Sequence, residues 1–207
     1  MNATAERVYL VDDEPAVLKA LSRLLRSAGL EAVAFGSPEE FLARVDPDAE
    51  GCVVLDVAMP GLDGLALQEA LVSRGIALPT LFLTGHGDVP QSVRAMKGGA
   101  VDFLTKPVDD AVFLRAVREA LERGRSGRTD REESARVRSR LATLTPRERE
   151  VLEGVVAGRL NKQTADELGT ALKTIKVHRA RMMNKMNVKS LAQLARLVER
   201  MGVLRTR

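Results

Sequence analysis

The chain has 207 residues, of which 45% are apolar and 29% charged, a composition typical of one large or two small globular domains. No apolar run approaches the roughly 18 residues of a membrane span, and Met1 to Glu6 lack the basic and apolar segments of a signal peptide. The single cysteine, Cys52, excludes an internal disulfide. We therefore expect a cytoplasmic protein that does not associate with membranes.

Charge is unevenly distributed along the chain. Residues 1–140 contain 18 Lys and Arg against 22 Asp and Glu, whereas the remaining residues contain 14 against 6. An acidic front part and a basic rear part predict two domains with different partners, and the rear domain should bind a polyanion.

The front part is predicted to alternate short strands with helices. Continuously apolar runs bounded by turn residues are typical of strands buried on both faces, and amphipathic segments follow them. Strands are predicted at 8–11, 31–35, 52–55, 78–83 and 101–105, and helices at 16–28, 38–45, 64–73, 89–97 and 110–123. This alternation predicts an α/β domain with a five-stranded, doubly wound parallel sheet.

Polar residues follow four of these strands, where parallel strands meet at one edge of the sheet. They are Asp12, Asp13, Asp56, Thr84 and Lys106. Ligands bind at this edge in open α/β sheets. Clustered carboxylates call for a cation, and hard oxygen ligands suit Mg²⁺. Lys106 and Thr84 could bind a phosphoryl group for which Asp56 is a competent nucleophile.

Residues 8–123 resemble the receiver domain of two-component response regulators, a flavodoxin-like fold. The resemblance is carried by Asp12-Asp13, Val54–Val57, Met59–Gly64, Phe82–Gly87 and Phe103–Pro107. It implies that Asp56 accepts a phosphoryl group from a histidine kinase. It also implies that Mg²⁺ is bound by Asp13, Asp56 and the Ala58 carbonyl, with Asp12 acting through water.

The resemblance also implies a conformational switch formed by Thr84 and Phe103. Phosphorylation adds charge and acceptor oxygens at Asp56, towards which Thr84 would turn. The Phe103 ring would rotate into the space that is left, and the face formed by 89–97 and 101–105 would then pair with a second copy of the chain. Lys106-Pro107 is expected to be a cis peptide. We expect the receiver to span 1–124 and a partly helical linker to span 125–140.

The rear domain, 141–207, is predicted to be all-α. Thr145, Asn161 and Ser190 are suitable N-caps for helices at about 146–157, 162–168 and 191–201, and a further helix is predicted at 171–185. Two helices joined by a glycine-containing turn form a helix-turn-helix. The apolar face of the 171–185 helix is predicted to include Ile175 and Val177. Its basic residues are Lys173, Lys176, His178, Arg179 and Arg181.

This domain resembles the LuxR-type, or NarL/FixJ-type, DNA-binding domain. The matching segments are 144–152, 161–163, 174–179 and 185–186 with Ser190. The resemblance places helix 171–185 in the major groove. Lys176, Val177 and Ala180 would approach base edges, and Lys173, Thr174, Arg179 and Arg181 would hold phosphates.

Three positions depart from the family pattern. Ala171 and Leu172 replace the usual Ser and Glu at the start of this helix, which leaves Thr170 as a candidate cap. Thr164 replaces an aliphatic core residue. The changes at the start of this helix and at Thr164 are both expected to weaken the domain.

The sequence therefore predicts a phosphorylation-activated transcription regulator rather than an enzyme. A dimer would read an inverted repeat in promoter DNA. The 84–88 tract and His178-Arg179 are closest to the FixJ-like subgroup, which favours an activator with RNA polymerase as a possible partner. One alternative is a DNA-binding regulator that acts independently of phosphorylation. The other alternative is an aspartyl-phosphate phosphotransferase. The sequence offers neither the second carboxylate that would act as acid and base in such an enzyme nor an insertion that would cap its substrate.

Overall fold

The computed structural model describes residues 7–85 and 89–200, with side chains to residue 198. The chain divides into two compact units between Arg128 and Thr129. The His86-Gly87 part of the receiver motif, Asp88 and the predicted helix end at Met201 lie outside the described residues.

The first unit is built on a five-stranded parallel sheet in the order β2-β1-β3-β4-β5. The strands are β1 Arg7–Val11, β2 Glu31–Phe35, β3 Gly51–Leu55, β4 Thr80–Thr84 and β5 Asp102–Thr105. The helices are α1 Pro15–Ser27, α2 Pro38–Arg44, α3 Gly64–Ser73, α4 Val89–Lys97 and α5 Asp110–Ala142. The predicted doubly wound sheet is confirmed, although β4 begins two residues later than predicted.

Side chains from both faces of the sheet are buried in two hydrophobic cores, as expected for a sheet covered by helices on both sides. One core joins Tyr9, Val53 and Phe82 to Phe41 of α2 and Leu67 of α3. The other joins Leu10, Val54 and Leu81 to Leu25 of α1 and Phe113 of α5. Strand residues therefore alternate between the two cores, and the parallel pairing places the carboxyl ends of all five strands at one edge of the sheet.

Helix α5 continues well past its predicted end at Arg123 and includes the whole of the expected linker. Gly124, the last residue of the expected receiver, lies against the Gly51 carbonyl, from which a Cβ at position 124 would be only 2.9 Å away. The glycine therefore reflects a close approach of helix and sheet rather than a break. Ion pairs such as Glu132–Arg136, at 3.3 Å, follow the spacing of a helix in this segment.

The second unit contains four shorter helices around one core. They are α6 Pro146–Val156, α7 Asn161–Glu167, α8 Leu172–Met186 and α9 Leu191–Arg200. The core is formed by Val151, Leu152, Ile175, Met182, Met186 and Leu194, among others. Val177 does not belong to it, because its side chain is 42% exposed. The predicted all-α helix-turn-helix domain is confirmed.

The helix caps agree only in part with the sequence. Thr145 is the N-cap of α6, as predicted, and forms a capping box with Glu148. The Ser190 hydroxyl accepts a hydrogen bond from the Gln193 amide. The prediction for Asn161 is wrong, because Leu160 is the N-cap of α7. The prediction for Thr170 is also wrong, because Ala171 caps α8 without a side-chain hydrogen bond.

Candidate functional site

The carboxyl edge of the sheet brings together side chains that are far apart in sequence. Asp12 follows β1, Asp56 follows β3 and Lys106 follows β5. The Lys106 Nζ donates a 2.6 Å hydrogen bond to Asp12 Oδ2 and lies 3.2 Å from Asp56 Oδ1. Both aspartates are buried, with 4% and 6% of their surface exposed. One ammonium group therefore compensates two buried carboxylates.

Backbone groups orient the two carboxylates. Asp12 Oδ1 accepts the Glu14 amide at 2.9 Å, and Asp56 Oδ2 accepts the Ala58 amide at 2.9 Å. The Asp56 amide donates to the Val11 carbonyl at 2.9 Å, which ties the loop after β3 to the end of β1. Each carboxylate therefore has one oxygen held by the backbone and the other close to Lys106.

The pKa values at this edge reflect burial and charge together. Burial raises the pKa of the Asp56 carboxyl, and the Lys106 charge only partly opposes this rise. Burial alone would lower the pKa of Lys106, but its hydrogen bond to Asp12 and the charges of Asp12 and Asp56 outweigh it and raise the pKa. The lysine therefore stays charged at neutral pH, beside a carboxylate that is kept partly out of water.

The remaining predicted residues lie around this pair. Thr84 is fully buried at the end of β4, and its carbonyl accepts the Lys106 amide at 2.7 Å. Phe103 is partly buried, and the centroid of its ring lies 6.0 Å from the centroid of the Phe82 ring. Asp13 and Ala58 are exposed. The Lys106-Pro107 peptide is cis, as predicted.

Among the side chains at 7–85 and 89–198, no three His, Cys, Asp or Glu groups are arranged to hold a metal ion. Oxygens of Asp12 and Asp56 instead lie against the Lys106 ammonium. The chemistry of the donors nevertheless suits Mg²⁺, because carboxylate oxygens with few other protein ligands leave room for water and phosphoryl oxygens.

Most of the residues predicted to contact DNA lie on the exposed side of α8. Buried Ile175, Met182 and Met186 repeat at helical spacing and thereby set the rotation of the helix. The exposed members of the predicted set are Lys173, Thr174, Lys176, Val177, Ala180 and Arg181. Arg179 differs, because it is half-buried and donates a 2.6 Å hydrogen bond to Asn161 of α7.

Sequence reasoning did not single out two further charged groups. Glu14 Oε1 lies 3.5 Å from the Lys106 Nζ, and its position directly after the acidic pair was the available signal. Glu148, which forms a capping box with Thr145, also accepts a 2.6 Å hydrogen bond from Lys185. Nothing local marks this second pair, because its members are 37 residues apart.

Comparisons with known proteins agree with the division of the chain into two units. Residues 8–118 match the family described as "Response regulator receiver domain", and residues 142–198 match "Bacterial regulatory proteins, luxR family". Nodulation protein W of Bradyrhizobium diazoefficiens is 47% identical over 97% of this chain and 88% of its own length. FixJ of Azorhizobium caulinodans is 46% identical over 95% of this chain and 93% of its own. The chain belongs to the NarL/FixJ family of response regulators.

A solved structure of the response regulator StyR covers 95% of this chain and 99% of its own, with a TM-score of 0.84 and 43% identity. This response regulator is accordingly a phosphorylation-regulated transcriptional regulator of a two-component system, and its family consists of DNA-binding regulators rather than enzymes. Receiver domains generally bind Mg²⁺ at the site of phosphorylation. No helix within the described ranges is long and apolar enough to cross a membrane.

Proposed function

We propose that Asp56 accepts a phosphoryl group from a sensor histidine kinase and that this modification activates transcription. The observation that carries the proposal is the Lys106 ammonium, 3.2 Å from Asp56 Oδ1, at the edge where parallel sheets bind ligands. An Asp56 oxygen bonds to phosphorus as the phosphorus–nitrogen bond of phosphohistidine breaks. The histidine nitrogen leaves with the electron pair, and Lys106 faces the transferred group.

Asp12, Asp13, Asp56 and the Ala58 carbonyl would hold Mg²⁺, with Asp12 acting through water. The ion would supply positive charge to a group that is strongly anionic. Lys106 would then exchange its hydrogen bond with Asp12 for one with a phosphoryl oxygen. Thr84 is the hydroxyl donor proposed for a second oxygen.

The proposed switch continues from Thr84 to Phe103 and then to the surface formed by α4 and β5. Val89, Val93 and Met96 of α4 are 75%, 46% and 48% exposed and recur at i, i+4 and i+7. Such an apolar stripe is costly to leave in water and supports pairing with a second copy of the chain. We infer that the phosphorylated protein is a homodimer.

Helix α8 is proposed to lie in the major groove of an inverted-repeat promoter site. Lys176, Val177 and Ala180 would meet base edges, while Lys173, Thr174, Arg179 and Arg181 would bind phosphates. Arg179 has five donors, so its bond to Asn161 leaves others for a phosphate.

The domain boundaries that accompany this proposal are a receiver at 1–124, a helical connection at 125–140 and a DNA-binding domain at 141–207. We also infer a cytoplasmic activator that contacts RNA polymerase.

Incubation with acetyl phosphate and Mg²⁺ tests the proposal, with labelling followed by intact mass and assembly by light scattering. The parent should gain one phosphoryl group and dimerise, whereas Asp56→Asn should do neither. Asp48→Asn makes the same change in the loop before β3, at the opposite edge, and should behave like the parent. Rapid phosphate release would instead indicate a phosphotransferase, and no labelling would indicate a regulator independent of phosphorylation.

A further inference from the structure

The Lys106 ammonium is shared by three carboxylates rather than two. Its Nζ lies 2.6 Å from Asp12, 3.2 Å from Asp56 and 3.5 Å from Glu14. The side chain of Glu14 is 64% exposed, whereas those of both aspartates are 6% exposed. Glu14 is therefore the most exposed of the three carboxylates and forms the solvent-facing rim of the cluster.

The backbone holds Glu14 at this rim. Its amide donates to Asp12 Oδ1 at 2.9 Å, and Pro15 follows it as the first residue of α1. Glu14 is the N-cap of α1, but its side chain makes no capping hydrogen bond. The carboxylate consequently contributes charge near Lys106 without contributing to the cap, and a glutamine of the same length should leave the helix intact.

The charges at this rim disfavour an approaching anion. Three carboxylates surround one ammonium group, and exposed Asp13 adds a further negative charge in the same loop. A cleft with a net charge of one sign lowers the local concentration of ligands of that sign, and this effect weakens with salt. Glu14 also competes with an incoming phosphoryl group for Lys106.

We propose that Glu14 is a positioning residue that limits phosphorylation of Asp56 by small anionic phosphodonors, by holding Lys106 towards the rim and by repelling the donor. The proposal rests on Asp56 as the phosphoacceptor. With acetyl phosphate, an Asp56 oxygen bonds to phosphorus while the phosphorus–oxygen bond to the acetyl group breaks, and acetate leaves with the electron pair. Glu14 forms none of these bonds and acts only through its charge.

The test is the initial rate of Asp56 labelling in the full-length protein as a function of acetyl phosphate concentration, with Mg²⁺ in excess. Glu14→Gln should raise the rate at subsaturating donor by about two- to fivefold, the range expected for an exposed charge. The gain should lie in the half-saturating concentration rather than in the rate at saturation, and it should shrink at high salt. Glu14→Asp, which keeps the charge, should remain close to the parent.

A second phosphodonor distinguishes an electrostatic effect of the Glu14→Gln substitution from a structural effect. Phosphoramidate carries less negative charge than acetyl phosphate because its nitrogen is protonated, so Glu14→Gln should raise its rate less. Glu31→Gln is the matched control, since Glu31 begins β2 at the opposite edge of the sheet and forms an exposed 3.1 Å pair with Arg7. It should leave both rates unchanged.

Equal rates for the parent and Glu14→Gln would overturn the inference. So would an equal gain with both donors, or the same gain in Glu31→Gln. Failure of the parent itself to be labelled would refute the assignment of Asp56 and the inference with it, and this outcome is distinct from labelling that ignores Glu14.

Discussion

Replacing Glu148 by glutamine should destabilise the second unit by about 1.5–2 kcal/mol. The Glu148 carboxylate is almost fully buried, with 3% of its side-chain surface exposed. It accepts the Thr145 amide at 2.9 Å and the Lys185 Nζ at 2.6 Å. The pair joins the first turn of α6 to the last turn of α8, and α8 is the helix proposed to bind DNA.

The magnitude follows from what glutamine keeps and what it loses. Its amide oxygen can still accept the Thr145 amide, so the cap survives. The charge-assisted bond to Lys185 is lost, and such bonds contribute about 1.5–3 kcal/mol. Lys185 is 36% exposed and retains a 2.9 Å bond to the Thr143 carbonyl, so its ammonium is not left isolated and the loss falls in the lower part of that range.

Thermal unfolding of the full-length protein measures this effect. Tyr9 is the only tyrosine and the chain has no tryptophan, so tyrosine fluorescence reports on the first unit alone. Far-ultraviolet circular dichroism reports on the helices of both units. Glu148→Gln should lower the unfolding temperature of the second unit, by about 4–8 °C per kcal/mol of lost stability. The transition followed by tyrosine fluorescence should not shift. Glu150→Gln, on the exposed side of the same helix, is the matched control and should shift the unfolding temperature of the second unit little.

The pH dependence gives a second criterion. The hydrogen bond from Lys185 and then that from the Thr145 amide lower the pKa of Glu148. The stabilisation is therefore complete above the unfolded glutamate value of about 4.3 and is lost as the pH falls through the lower folded pKa. A Glu148→Gln protein as stable as the parent at neutral pH, or a difference that persists unchanged in strong acid, would refute the reasoning.

Three further predictions concern other parts of the chain. Gly64→Ala would put a Cβ 2.1 Å from the Asp56 carbonyl oxygen, so we expect several-fold slower labelling by acetyl phosphate and a lower unfolding temperature of the first unit. Thr164→Val removes a buried hydroxyl whose acceptor, the Leu160 carbonyl, still receives the Thr164 amide; denaturant unfolding should show no loss of stability, or a gain of up to about 1 kcal/mol. Lys173→Ala should weaken promoter binding similarly across sequences and reduce the salt slope of log K by about one, measured by fluorescence anisotropy.

The predicted helix and strand bounds agree best with the structure where neighbouring residues in the sequence determine them. The bounds of β2, α3 and α4 are those predicted. Helix α3, for example, begins directly after its N-cap Asp63. The predicted end of α5 at Arg123 is wrong. Glycine disfavours a helix by propensity, but the absence of a side chain at Gly124 allows this helix to approach Gly51. Asn161 has the propensity of a cap but instead accepts a hydrogen bond from Arg179 of the neighbouring helix.

For the candidate site too, some features could be predicted from the sequence and others could not. The order of Asp12, Asp56 and Lys106 after parallel strands was sufficient to predict that they share one edge, because strand direction follows from the βαβ connections. The sequence alone thus determined the fold class, the location of the site and the division into two units of opposite charge. Only the tertiary structure decided that one ammonium bridges two buried carboxylates, that Glu14 stands beside it and that Glu148 pairs with Lys185. Propensities act over a few residues, whereas Lys106 and Asp12 are 94 residues apart and meet only because packing of both faces of the sheet holds the strands in register.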